Sequence, residues 1–179
     1  PTAPFYPRLA APAPGLPGER VECQLFWRAR GADFSEAASA SRKVAADGAL
    51  HRLTFVLPPA CGPVDALRFD FADTGAAAQI AAMELRDPNG ALMWSWDWQG
   101  FAQQDWRQTG LCLALEPPRP YLVASGADPR YYPALPASIT ARLGAGWRFQ
   151  VAMALQPELV RRLLAELAQA RAALAPAAC

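Results

Sequence analysis

Tryptophan side chains are the residues of this chain whose spacing most directly suggests a chemical role. Trp94, Trp96 and Trp98 alternate, so on an extended strand their rings would share one face, and Trp106 follows shortly after. A row of aromatic rings can stack on the apolar faces of sugars, and the same row can form part of a hydrophobic core. A position in the core is favoured for Trp94 and Trp96. For Trp98 and Trp106, a position in the core and a contact with a ligand are equally favoured.

Polar side chains surround the two tryptophans that lie nearest a loop. Carboxylates and amides hydrogen-bond hydroxyl groups, so this mixture suits a sugar. A second aromatic segment, residues 128–133, carries two adjacent tyrosines that could line a ligand site or cap the fold. The predicted ligand-binding residues are Trp98, Trp106, Asp97, Gln99, Gln104, Tyr131 and Tyr132.

General acid–base or nucleophilic catalysis needs titratable side chains that converge, and none converge in this sequence. His51 is the only histidine, and it alternates with apolar residues. That position favours a packed, hydrogen-bonded strand residue over a general base. Arg68 and Asp70 alternate on an outward strand face, where a structural charge pair is expected. We therefore predict a chain without catalytic residues.

Metal and cofactor sites are not predicted either. The four cysteines lack the CxxC spacing and the companion histidines of a zinc site. Calcium could find oxygen ligands near strand ends, but the same residues are ordinary turn formers, and their spacing is not that of an EF-hand. These residues are Asp70, Asp73, Asp87 and Asn89. We expect no cofactor and no metal.

Charge and cysteine placement bear on partners and compartment. The 17 basic and 16 acidic residues are scattered without runs, which gives no footprint for nucleic acid or an anionic membrane. No apolar run approaches the roughly 20 residues of a transmembrane helix, and a signal-peptide pattern is missing. Cys23 and Cys112 alternate with apolar residues, so free, buried thiols are expected. Free thiols favour the cytoplasm. The start at Pro1 suggests a piece of a longer protein.

The elements that must position these residues are strands. Residues 51–57 and 65–71 alternate apolar and polar side chains, and the same period of two recurs at 21–30, 91–98 and 147–155. The Asp47-Gly48 pair predicts a hairpin into the strand at residue 51, and residues 87–90 predict a second turn. Together these patterns predict an all-β fold, an antiparallel, jelly-roll-like β-sandwich over residues 21–156.

Both ends of the chain differ from this pattern. Residues 1–20 hold six prolines and two glycines, which predicts an extended linker. Residues 157–175 change to helical spacing and predict a C-terminal α-helix. Its apolar stripe could pack on the sandwich or on a second copy of the chain, and the sequence favours neither. The stripe consists of Val160, Leu163, Leu167, Ala170 and Leu174.

Several short motifs occur together within residues 31–133. They are Phe34-Ser35-Glu36, Asp47-Gly48 followed by His51-Arg52-Leu53-Thr54-Phe55, Leu57-Pro58, Leu67-Arg68-Phe69-Asp70 and Gly126-Ala127-Asp128-Pro129. The combination resembles a β-sandwich module of bacterial proteins that build surface polysaccharides, where it accompanies glycosyltransferase or methyltransferase domains. The resemblance implies a non-catalytic, carbohydrate-binding-like module. It also implies a parent protein in the cytoplasm near the inner membrane, acting on O-antigen or capsule-type glycans.

The leading hypothesis is a glycan-binding module that holds a growing polysaccharide or oligosaccharide beside an adjacent glycosyltransferase domain. The alternative is a structural or oligomerisation module that orients neighbouring domains without binding sugar, with a homo-oligomer formed through the C-terminal helix. Exposed aromatic rings beside amides would favour the first hypothesis. An exposed apolar stripe would favour the second.

Overall fold

The computed structural model describes residues 20–73, 76–96, 111–114, 121–124, 129–156 and 165. These residues form strands in two antiparallel sheets, which confirms the predicted all-β class. The strands are β1 (Arg20–Ala29), β2 (Ser39–Ala45), β3 (His51–Val56), β4 (Val64–Asp70), β5 (Ala77–Arg86), β6 (Leu92–Ser95), β7 (Leu111–Ala114), β8 (Tyr121–Ala124), β9 (Arg130–Tyr131) and β10 (Arg148–Leu155). One short helix, α1 (Ala137–Thr140), precedes β10.

The chain repeatedly crosses between the two sheets. Sheet A has the strand order β2-β1-β4-β9, and sheet B has the order β3-β10-β5-β8-β7, with β6 paired to β5. The polypeptide therefore changes sheet between β2 and β3, between β3 and β4, between β4 and β5, between β8 and β9, and between β9 and β10. Such crossings give a double-sheet sandwich of the jelly-roll type.

The core lies between the sheets and is built by alternate residues of the facing strands. Phe69 of β4 in sheet A meets two rings of sheet B, Phe55 of β3 and Phe149 of β10. The ring centroids are 5.9 Å and 5.6 Å from that of Phe69, in tilted or edge-on geometry, and all three rings are fully buried. Burial of one such ring contributes about 1.5 to 3 kcal/mol.

The two predicted turns have different outcomes. Residues 87–90 do join paired strands: Gly90 has φ of +90°, and its N–H donates to the Asp87 carbonyl oxygen at 3.0 Å. The prediction of a hairpin at Asp47-Gly48 is wrong, because β2 pairs with β1 whereas β3 pairs with β10. Gly48 has φ of +75°, as the turn chemistry requires, but the turn carries the chain from one sheet to the other.

The predicted linker over residues 1–20 and the predicted helix over residues 157–175 lie outside the described residues, apart from Arg20 and Ala165. Both remain predictions. The described helix α1 was not predicted from the sequence. It is a single turn that begins after Pro136 and buries Ile139 against the core.

Candidate functional site

Five of the seven predicted ligand-binding residues, Trp98, Trp106, Asp97, Gln99 and Gln104, lie outside the described residues. Their role stays a prediction. The structure does describe the other two, Tyr131 and Tyr132, and it places them in opposite environments.

Tyr131 belongs to the core, although it was predicted as a ligand-binding residue. It pairs with Phe69 across β4 and β9 and is 2% exposed, so its ring has no surface left for a sugar. Desolvation raises the pKa of its hydroxyl well above the ordinary value of 10.0. Tyr132, the next residue, points the other way and is 39% exposed. Burial thus removes Tyr131 from the candidate surface and leaves Tyr132 on it.

Trp94 of β6 and Trp96, which directly follows that strand, pack against the core. Trp94 lies opposite the buried Leu85 of β5, and Trp96 donates its backbone N–H to the Met83 carbonyl oxygen at 2.8 Å. Both indoles are half-buried against core residues. This placement agrees with the core interpretation of these two residues.

The outward face of sheet A carries a phenylalanine that is covered by an arginine. Phe26 of β1 points away from the core, yet it is only 2% exposed, because Arg68 lies beside it on β4. The guanidinium carbon of Arg68 is 3.9 Å from the centroid of the Phe26 ring. Such a cation–π contact contributes about 0.5 to 2 kcal/mol. The outer side of the sheet is therefore partly sealed by its own side chains.

Arg68 is held in place by Asp70, as the sequence predicted for this pair. Its Nε and Nη2 donate to the two carboxylate oxygens of Asp70 at 3.0 and 2.5 Å. Both side chains are largely buried, at 13% and 11% exposure. A bidentate pair of this kind fixes the guanidinium plane as well as its position.

Two exposed or half-exposed rings continue this layer toward the edge of sheet A. The rings of Phe34 and Tyr132 lie 5.9 Å apart, and we call them the aromatic ledge. Arg28 stacks over Phe34 at 5.4 Å and donates through Nε to Asp65 at 3.0 Å. The ledge is thus a supported aromatic surface, and Tyr132 is its solvent-facing ring.

Beside Arg68, the outward face forms a concavity of about 340 Å³, which we call the outer trough. Gln24 spans part of its wall, because its Nε2 donates to Glu36 Oε2 at 2.7 Å and to Ser39 Oγ at 2.8 Å. Asp73 accepts the backbone N–H of Glu22 at 3.2 Å. The residues that line the trough are Glu22, Gln24, Phe26, Glu36, Arg68, Asp70, Ala72 and Asp73.

The trough offers mainly hydrogen-bond acceptors. Four carboxylates line it against a single guanidinium, that of Arg68, which already binds Asp70. Positive charge borders it, since Lys43 and Arg130 are the cross-strand neighbours of Glu22 and Asp70. Carboxylates and amides in this arrangement bind hydroxyl groups through several hydrogen bonds at once.

Sheet B has a smaller outward groove, with a volume of about 120 Å³. Its polar side chains bind one another: Gln150 donates to Thr54 Oγ1 at 3.3 Å, and Arg86 donates to Gln150 Oε1 at 3.1 Å and to Glu84 Oε2 at 2.6 Å. A self-satisfied network of this kind leaves fewer polar atoms for a ligand than the outer trough does.

His51 lies at the start of β3 and shares a 2.8 Å hydrogen bond with the Oδ1 of Asp47. This matches the predicted hydrogen-bonded strand residue. The interaction with His51, followed by the bond from the Ala49 N–H, lowers the pKa of the exposed Asp47 carboxyl. Their hydrogen bond closes the turn that carries the chain from β2 in sheet A to β3 in sheet B.

Among the described cysteines, Cys23 is a buried free thiol, as predicted, and Cys61 is a half-buried one. Desolvation, with Asp73 and Glu22 nearby, raises the pKa of Cys23 to about 12. Its Sγ donates to the Phe71 carbonyl oxygen at 3.1 Å. The side chains of Cys112 and Cys179 lie outside the described residues.

The carboxylates considered as calcium ligands have separate partners. Asp70 binds Arg68, Asp73 binds the Glu22 N–H, and Asp87 accepts the Ala91 N–H at 2.8 Å inside its turn. Within the described ranges, no group of three or more histidine, cysteine or acidic residues is arranged to hold a metal ion.

The outer trough was not found from the sequence. Alternation along β1 does place Glu22, Gln24 and Phe26 on one outward face. Glu36 and Asp73, however, come from a short 3-10 turn and a loop that reach the trough only through the fold. The signal for this surface in the sequence was Phe26, a large apolar residue among the polar outward residues of β1.

No protein-family model matches this chain, and no curated protein or solved structure is significantly similar to it. In the part of the chain that the structure describes, no helix is both long and apolar enough to cross a membrane. The candidate site therefore depends on the geometry of the outer trough and the aromatic ledge.

Proposed function

We propose that this chain is a non-catalytic glycan-binding module, and that the outer trough and the aromatic ledge form its binding surface. One observation carries the proposal: the aromatic ledge with its exposed tyrosine lies beside a concavity lined by four carboxylates and one amide, because Arg68 of the trough lies 5.9 Å from the Phe34 ring of the ledge. A sugar presents an apolar ring face and a rim of hydroxyl groups, and this surface complements both.

The size of the trough supports a small polar ligand. Ligand pockets commonly enclose about 300 to 1,000 Å³, and the trough lies near the lower end of that range. A short stretch of a longer glycan suits this volume, with the remaining chain lying over the ledge. The Arg68–Asp70 pair supports the surface from beneath, because it holds the wall in one conformation.

The resemblance in the sequence supports a wider role for the parent protein. We propose that the module positions a bacterial surface polysaccharide, of the O-antigen or capsule type, beside an adjacent glycosyltransferase domain. In this role the parent is cytoplasmic, at the periphery of the inner membrane. An enzyme that extends a chain must also release it, so a dissociation constant in the micromolar to millimolar range is expected, or about 4 to 8 kcal/mol of binding free energy.

Isothermal titration calorimetry with the surface polysaccharide of the source organism tests this proposal. Tyr132→Ala removes the exposed ring and is expected to weaken binding about tenfold, since aromatic contacts contribute about 0.5 to 1.5 kcal/mol. Leu92→Ala is the matched control, because Leu92 is also large and exposed but lies on sheet B. It should bind like the unmodified chain.

A Trp106→Ala variant separates the two candidate locations. Loss of binding in Trp106→Ala with full binding in Tyr132→Ala would move the site to the predicted tryptophan segment. Absence of heat and of any fluorescence change at saturating polysaccharide would contradict the glycan proposal itself.

A structural or oligomerisation role is the second candidate function, and one observation favours it. Leu50 directly precedes β3, the edge strand of sheet B as described, and Val56 ends it; they are 55% and 48% exposed. Exposed apolar side chains on an edge strand suit pairing with another chain. Sedimentation that shows a dimer in the unmodified chain and a monomer in Val56→Lys would support this role.

A further inference from the structure

Arg42 is a charged residue on the core-facing side of β2. It shares that side with Ala40 and Val44, and Val44 is buried in the core. Its neighbour across the sheet is Cys23 of β1, which has no exposed surface. Arg42 itself is exposed. A cation thus occupies a position that the alternation along the strand assigns to an apolar side chain.

The side chain of Arg42 reaches across the gap between the two sheets. Its guanidinium carbon lies 5.6 Å from the centroid of the Phe55 ring, which belongs to β3 of sheet B and is fully buried. Its Nη1 donates to the carbonyl oxygen of Ser41 at 2.7 Å. Among the described residues, no carboxylate forms an ion pair with Arg42. Such a long side chain covers apolar surface with its methylene groups and keeps its charge in water.

The two strands that Arg42 connects are both outermost. Among the described strands, β2 ends sheet A and β3 ends sheet B, and the contact between Arg42 and Phe55 places them on the same side of the sandwich. We call this side the β2–β3 seam. An outermost strand presents backbone N–H and C=O groups that a strand of another molecule can pair with, and a charge that points inward is one protection against such pairing.

Pairing along the β2–β3 seam would bury the charge of Arg42. A second copy that added strands there would extend both sheets and enclose the guanidinium between them. The group would lose its water and keep one hydrogen bond, to the Ser41 carbonyl oxygen. Burying a cation without a paired carboxylate is strongly unfavourable. Without this charge, the inner side of β2 would be apolar from Ala40 to Val44, which favours association at an open edge.

We propose that Arg42 prevents the chain from pairing with a second copy through the β2–β3 seam. The residue acts through its charge and its inward position. This inference goes beyond glycan binding and is independent of it. It opposes the second candidate function, because β3, the strand of that candidate interface, lies at the same seam.

Sedimentation velocity of Arg42→Met over a concentration series tests the proposal. Methionine keeps an unbranched side chain over Phe55 and carries no charge. The unmodified chain is expected to remain monomeric, whereas the weight-average mass of Arg42→Met should at least double. Lys43→Met is the matched control, because Lys43 is an exposed cation on the outer side of the same strand. This control and Arg42→Lys, which retains an inward cation, should both remain monomeric.

Amide hydrogen exchange locates the contact. In Arg42→Met the amides of β2 and β3 should exchange more slowly than in the unmodified chain, whereas those of β9, at the other end of sheet A, should not change. Arg42→Gln, also uncharged, carries the same expectation if the methionine variant does not fold.

Three results with the variants would overturn the proposal. They are a folded, uncharged variant that stays monomeric, equal association of Lys43→Met, and slowed exchange confined to strands other than β2 and β3. A dimer of the unmodified chain with slowed exchange at β2 and β3 would overturn it as well.

Discussion

The outward faces of the two sheets differ in how they are covered. On sheet A, Phe26 is buried by Arg68, a side chain of the neighbouring strand, and the open trough beside it keeps Glu22, Glu36 and Asp73 accessible. On sheet B, Ala152 and Ala154 are buried beside longer polar side chains of the neighbouring strands, because Arg52 lies opposite Ala152 and Gln79 lies opposite Ala154. A phenylalanine is thus covered on one face, and small side chains are covered on the other.

This difference shows the limit of strand alternation as a guide to exposure. A period of two determines on which side of a sheet a residue lies, and it says nothing about what covers that side. Phe26 and Ala154 are both outward and both buried, for different reasons. The proposed function uses this difference, because it assigns ligand binding to the face with the larger concavity.

The largest effect is expected at the charge pair that seals sheet A. Asp70→Ala removes the bidentate partner of a mostly buried arginine and should lower the free energy of unfolding by roughly 2 to 4 kcal/mol. Asp65→Ala is the matched control, since its pair with Arg28 is more exposed, and it should cost under about 1 kcal/mol. Urea denaturation measures both. Equal losses would show that Arg68 is not sealed against Phe26.

A smaller effect is expected on sheet B. Ala154→Leu forces three extra carbons into a covered face and should destabilise the fold by about 1 to 3 kcal/mol. The same change at Ala81, which is exposed at the bulge of β5, should stay within about 0.5 kcal/mol. If thermal unfolding shows both variants to be neutral, the side chain of Ala154 is open to solvent and the comparison between the sheets fails.

The thiol of Cys23, buried between the two sheets, gives a pH-dependent prediction. The unfolded chain ionises the Cys23 thiol above its ordinary pKa of 9.0, whereas the folded chain keeps it protonated up to about 12. The stabilisation is therefore complete below pH 9 and is lost as pH rises toward 12. The slope from this one proton approaches about 1.4 kcal/mol per pH unit.

Urea denaturation between pH 8 and 11 measures this slope. Cys23→Ala should show a shallower decline of stability above pH 9 than the unmodified chain. Cys61→Ala, which removes a half-buried thiol, should change the slope less. The decline of stability with pH that remains in Cys23→Ala includes the contribution of Tyr131, whose pKa is also raised. Identical slopes in all three proteins would contradict the burial of Cys23.

Much of the fold was predictable because the strands carry a strict period of two. The runs at residues 51–57, 65–71 and 147–155 correspond to β3, β4 and β10, and their apolar side chains form the core. Which strands pair with one another was harder to predict. Asp47-Gly48 has the residues of a hairpin turn, but the strands on either side of it pair in different sheets. Local turn preference does not encode that choice.

The candidate site was predictable only in part. Tyr132 was predicted from the sequence and is exposed, whereas its neighbour Tyr131 is in the core, because two adjacent residues near β9 face opposite sides. Glu36, Gln24 and Asp73 converge from separate elements, and no spacing rule reports such a meeting. The Trp98 and Trp106 segment stays a prediction.

An amide NMR titration of the isotope-labelled chain with the surface polysaccharide tests the central claim most directly, because it reports both outer faces in one experiment. We expect progressive, saturable changes in the amide chemical shifts of Gln24, Asp70 and Tyr132 on sheet A. The amide signals of Thr54 and Gln150 on sheet B should stay unchanged. Shifts confined to sheet B, or no shifts at saturating polysaccharide, would contradict the assignment of the open face of sheet A to ligand binding.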